Sequence, residues 1–183
     1  LVLGIFWALV ADSPLRWLGF GARALGVHAR MTPPLLQMYL LFFGVGGVLF
    51  AKLGVSLYPM AVAIGCMSYY TAGAIMNSLY EVGRHLREAR PEFHLSFRSL
   101  GTAIILARGP LMGSLINVMK LTVMASAIAV PELLSVSLAI MADQGNINVM
   151  MNVLLMTYLI LITLAIRLLN RLQDWLNKQV ANL

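Results

Sequence analysis

From Asn148 to Ile166 the chain reads NVMMNVLLMTYLILITLAI, without a charged residue. A helix needs about 20 predominantly apolar residues to cross the hydrocarbon of a bilayer, and lipid leaves its backbone no outside hydrogen-bond partner. A run of this kind limits the chain to few folds. Three other stretches share the character: 35–51 (LLQMYLLFFGVGGVLFA), 55–80 (VSLYPMAVAIGCMSYYTAGAIMNSLY) and 111–130 (LMGSLINVMKLTVMASAIAV). Hydrophobic residues are 60% of the total and charged residues 11%. A soluble domain carries about 25% charged residues. The expectation is an all-α integral membrane protein, and residues 1–183 read as a single transmembrane domain.

LVLGIFWALV (1–10) is apolar but half a span long. It reads as the remainder of a helix that begins before Leu1. A processed signal peptide is the alternative, although no basic leader or small-residue cleavage site is visible. Counting it, about five spans are expected. Between 11 and 34, Ser13-Pro14 is a helix start, Pro33-Pro34 is a stop, and Arg16, Arg23 and Arg30 recur every seven residues. This pattern predicts an interfacial helix with its arginines toward lipid phosphates. Gly44, Gly46 and Gly47 thin one surface of the next span. Small residues in 55–80, such as Gly65, Ala72 and Gly73, predict tight bundle packing. Tyr69-Tyr70 read as bundle or interface aromatics.

The stretch 81–98 (EVGRHLREARPEFHLSFR) reads as a charged loop. SLGTAIILARG (99–109) reads as a short helix along the membrane, broken at Gly109-Pro110. PELLSVSLAIMADQGNI (131–147) reads as a short helix and loop, and 167–183 as an amphipathic tail. Apart from Lys52 and Lys120, every Lys and Arg lies in 11–34, 81–110 or the tail. The positive-inside rule places those three segments, the C-terminus included, in the cytoplasm.

The net charge of +6 follows that asymmetry and calls for no nucleic acid. Cys66 has no second cysteine to pair with, and His28, His85 and His94 show no metal-ligand spacing. The 12 methionines form no repeated Met-x-x-Met face and read as gap-fillers. Paired acids, Ser/His clusters and a phosphate-binding Gly-x-x-x-x-Gly-Lys loop are absent, so neither an enzyme nor a cofactor is expected.

Lys120 sits about halfway along 111–130. A buried charge there costs a few kcal/mol and persists when it meets water, a partner or a ligand. Asn117, one turn earlier, shares its face. Lys120 either lines a solute path with Asn117 and Asn77, or pairs with Asn77 or a polar group of another subunit. Pro131 ends the span, and Glu132 either caps the next helix or meets an outside protein.

Three stretches in common order resemble the permease subunits of type I ABC importers, most closely the polar amino acid (histidine/glutamine-type) permeases. ARMTPPLLQMYLLFFG (29–44) resembles the family's RGTPLLVQLFLLYFG. MKLTVMASAIAVPELL (119–134) resembles LKDTSLASVIGVPELL, and RLLNRL (167–172) resembles RLLRRLE. The resemblance implies a bacterial inner-membrane permease for amino acids or similar small polar solutes. It implies a second permease subunit (identical or not), separate ATP-binding subunits and an extracytoplasmic substrate-binding protein. It also implies a cytoplasmic coupling helix. Glu88-Ala89, Glu92 and the RSLG run with Arg98, Leu100 and Gly101 are rival registers for its Glu-Ala-Ala…Gly signature. Phe93-His94 follow Glu92, Leu95 stands where the RSLG register needs the glutamate, and Gly101 to Lys120 is shorter than in the family. Leu121 and Val123 replace the family's Asp and Ser after the lysine. The alternative is an accessory membrane subunit that moves no solute.

Overall fold

The computed structural model describes residues 1–181. Among them every regular element is a helix, and four helices are long and apolar enough to cross a membrane: Pro34–Leu53, Pro59–Ala89, Arg108–Ile128 and Ile147–Trp175. The protein is an all-α membrane-type protein. The expected fifth span is the short apolar helix α1, Val2–Ala11.

Helix α2 (Arg16–Met31) follows a turn at Asp12–Leu15. Pro34 opens α3 (Pro34–Tyr39), which passes through a π-helical stretch, Leu40–Val45, into α4 (Gly46–Leu53). Proline suits the first turn because its missing N–H would have no partner there. Gly54 ends this span in the left-handed region at φ 67°. Of Gly44, Gly46 and Gly47, only Gly46 meets a neighbour: a Cβ there would lie 3.2 Å from Leu57.

Helix α5 (Pro59–Ala89) is the axis of the fold. It continues through Glu81–Ala89, which had read as loop. Glu81–Arg84 and His85–Glu88 pair one turn apart, at 3.2 and 3.4 Å, and the good helix formers Leu86 and Ala89 share the segment. Helix α1 packs on α5 so closely that a Cβ on Gly4 would come within 2.7 Å of Ile75 Cβ. Helix α2 docks through Gly19, Ala22, Gly26 and Ala29, all buried. A Cβ on Gly73 would lie 2.7 Å from Ala29 Cβ, so only glycine lets the two backbones approach this far. Ala8, Ile75, Met76 and Leu79 form the core at this junction.

Helix α6 (Leu100–Leu106) and helix α7 (Arg108–Leu121) meet at Ala107. The break thus precedes Gly109-Pro110, and Pro110 sits in the first turn of α7, where it disrupts no intrahelical bond. Beyond Leu121 the helix tightens to 3₁₀ over Thr122–Ile128 and stops at Ala129, φ 61°. Val130 then precedes Pro131, a position that disfavours helix. Helix α8 (Leu133–Gln144) and helix α9 (Ile147–Ala181) complete the chain. The expected tail is the continuous end of α9; its Asn182 and Leu183 lie outside the described residues.

Candidate functional site

Lys120 is exposed and has no ion-pair partner among the described residues. It lines a groove of about 550 Å³ between α7 with its 3₁₀ extension and α9. Ile116, Met119 and Val123 form one wall with Thr122; Leu161, Ile162 and Ile166 form the other with Tyr158. The spacing 116, 119, 120, 123 is one helix face, so a single rotation of α7 presents all four. Thr122 Oγ1 donates to Met119 O at 2.7 Å, which leaves its oxygen only as an acceptor. The arrangement offers an ammonium group to an anion inside a largely aliphatic cleft.

Neither Asn117 nor Asn77 lines this groove. Asn117 is exposed on α7, and Asn77 is half-buried on α5. Asn117 lies one turn before Lys120 on the same helix, and Asn77 belongs to α5. Glu132 caps α8: its carboxylate accepts from Leu134 N at 2.9 Å and Ser135 N at 2.8 Å, while Glu132 N donates to Ser135 Oγ at 3.0 Å. This is a capping box with the acid at the N-cap, a role that contributes about 1 kcal/mol. Tyr158 lies beside it.

The residues expected to couple to a motor lie along one connector. Glu88 and Ala89 are in the last turn of α5, both exposed. Glu92 is exposed in the turn that follows, and Arg98 is exposed just before α6. Leu100, half-buried, and Gly101, exposed, open α6. Ser99 organises the approach: its hydroxyl accepts from Ser96 N at 2.9 Å and donates to His94 O at 2.9 Å. Leu95 is buried, 6% exposed, in the core shared by α1 and α5.

A polar node missed by sequence reasoning holds this connector. The Asp12 side chain is 4% exposed. It pairs with Arg87 and accepts from Leu95 N at 2.7 Å. Arg23 Nη1 donates to Ala11 O at 3.0 Å instead of facing outward, contrary to the interfacial reading of that arginine. The Arg23 and Arg87 guanidiniums both lie over the Tyr80 ring, 5.4 and 5.7 Å from its centroid. Asp12 is the sole acid before Glu81, followed by an arginine-bearing helix. That isolation was the available signal.

A second cluster joins α1, α2, α3 and α5. Tyr69 stacks on Trp7 with centroids 5.6 Å apart, and its hydroxyl donates to Leu25 O at 3.2 Å and meets His28 Nδ1 at 3.1 Å. Gln37 Nε2 donates to Ala29 O and Thr32 O at 3.2 and 3.0 Å, whereas its buried Oε1 has no partner among the described residues. These bonds tie the end of α2 to the start of the next span across Pro33-Pro34. No group of three or more His, Cys, Asp or Glu among the described residues could hold a metal ion.

No protein-family model matches the chain, and no solved structure matches it.

Proposed function

We propose that the chain is the membrane-spanning permease subunit of a type I ABC importer, forming half of a path for small carboxylate-bearing solutes of the amino-acid kind. The observation that carries this reading is Lys120: a cation without an ion-pair partner among the described residues, midway along an apolar helix and open to a groove between two candidate spans. The order of the stretches 29–44, 119–134 and 167–172 supports it, as does the placement of the basic segments. In this reading the C-terminus and the connector after α5 face the cytoplasm of a bacterial cell. The connector residues Glu88 to Gly101 meet an ATP-binding subunit, α8 faces the delivering binding protein, and a second permease subunit closes the path. The chain itself performs no catalysis; the ATP-binding subunits supply the energy.

The test is transport and partner capture in the assembled complex. An ATP-binding subunit should co-purify and cross-link to residues 88–104. Lys120→Ala should abolish uptake while assembly persists. Uptake that survives Lys120→Ala would remove Lys120 from the path.

One observation favours a second reading, an accessory subunit without a path. Where the RSLG register needs the coupling glutamate, Leu95 is buried, and Asp12 ties its backbone to the chain's own bundle. A complex that assembles without any ATP-binding subunit would favour that reading.

A further inference from the structure

The groove at Lys120 selects among carboxylates by its lining. Among its described lining residues Lys120 is the one cation, and none is acidic. Glu132 lies beside Tyr158, and both its carboxylate oxygens accept α8 backbone N–H groups. A zwitterion would place its carboxylate at Lys120 and leave its ammonium to the neutral Thr122 and Tyr158 oxygens, with no carboxylate among the lining residues. Burying an ammonium without a counter-charge is unfavourable. A polar side chain would lose its hydration against the same wall. A net anion with an aliphatic body fits both halves of the groove.

Depth separates such a solute from a lipid. Lys120 lies twelve residues past Arg108, about 18 Å along an α-helix. It lies eight residues before Ile128, about 16 Å with the 3₁₀ rise. The hydrocarbon core is about 30 Å thick, so a helix that crosses it from Arg108 to Ile128 would carry the Lys120 backbone near its middle, away from the lipid phosphates. A cleft of about 550 Å³ also suits a small molecule better than a two-chain lipid.

We propose that the groove binds a small aliphatic monocarboxylate, its carboxylate on Lys120 and its body against Ile116, Val123, Leu161 and Ile162. The proposal rests on the reading of Lys120 as facing the solute path and narrows the solute from amino acids to non-zwitterionic acids.

Calorimetry on the full chain in phosphatidylcholine nanodiscs tests this, with 4-methylpentanoate as the probe. The acid should bind, and 4-methylpentanamide, leucine and glutamine should bind at least tenfold more weakly. Lys120→Met should weaken the acid by about tenfold to a hundredfold, the range of one charge-assisted hydrogen bond, and Lys120→Arg should retain it. Leu161→Ser, on an exposed wall position, should weaken the acid without shifting the melting curve. Equal binding of the amide, tighter binding of leucine or glutamine, or an unchanged Lys120→Met variant would each overturn the proposal. Competition by phosphatidylglycerol added to the disc would assign the cation to a lipid headgroup and overturn it too. Acid binding by a chain that recruits no ATP-binding subunit would leave the proposal standing and remove the permease reading. Glutamine uptake by an assembled complex that ignores the acid would do the reverse.

Discussion

Helices α5 and α9 are the longest in the chain, and their apolar surfaces have opposite neighbours. Along α5, Ala63, Cys66, Ala72, Ile75, Met76 and Leu79 are buried against α1, α2 and the spans that follow. Along α9, Leu154 is the buried hydrophobic side chain among the described residues, while Leu155, Met156, Leu159 and Ile160 stand exposed. The more hydrophobic helix is the less buried one. In lipid, greasiness gives no preference for protein over tail, and what brings helices together is close backbone approach and shared hydrogen bonds. The small residues of α5 permit that approach. The leucines and isoleucines of α9 keep neighbours at a distance, and the groove beside Lys120 is the space they leave.

The contrast can be broken most severely at Gly73. Gly73→Val would drive side-chain carbon into Ala29, and it should cost about 3 kcal/mol or more and separate α2 from α5. Loss of a cysteine cross-link engineered between α2 and α5 would report it; an unchanged cross-link yield and melting temperature would show that the contact is looser than described. Asp12→Ala should come next, at about 2–3 kcal/mol. It leaves the Arg87 guanidinium, a quarter exposed, without its carboxylate and the Leu95 N–H without an acceptor. Amide exchange should rise across residues 90–99 while α9 stays as it was; uniform protection would show that Asp12 does not tether the connector. Leu155→Ala on α9 should have the smallest effect, within about 0.5 kcal/mol for the isolated chain, because that side chain is 58% exposed. A larger loss confined to the assembled complex would map α9 as a subunit interface.

Much of the architecture was legible in local pattern. Pro34, Pro59, Gly54 and Gly145 punctuate the helices where turn chemistry places them. Lys120 stood out because a charge in an uncharged run has few explanations, and Glu132 because an acid after proline at a helix start has one favoured use. The misreadings came where charge was taken as a sign of loop. Glu81–Ala89 alternates acids and bases at helical spacing, and charged helical turns read the same whether they end a span or follow it. Asn77, Asn117 and Lys120 share a polar character that suggested one site, whereas the residues that line the groove with Lys120 are mostly aliphatic. The Asp12–Arg87 pair joins residues 75 positions apart, and no local period encodes such a contact.

Hydropathy alone made this an all-α membrane protein, because backbone groups in lipid must bond within their own segment and only long apolar helices meet that demand here. Which of those helices would be enclosed, and which left facing outward, was settled by tertiary packing. Side-chain volume at the contact points, at Gly4, Gly26 and Gly73 above all, determined how near two backbones could come. The enclosed Asp12 carboxylate holds the arginine end of α5 and the connector against α1, since an ion taken out of water is stable only where its partners are already in place.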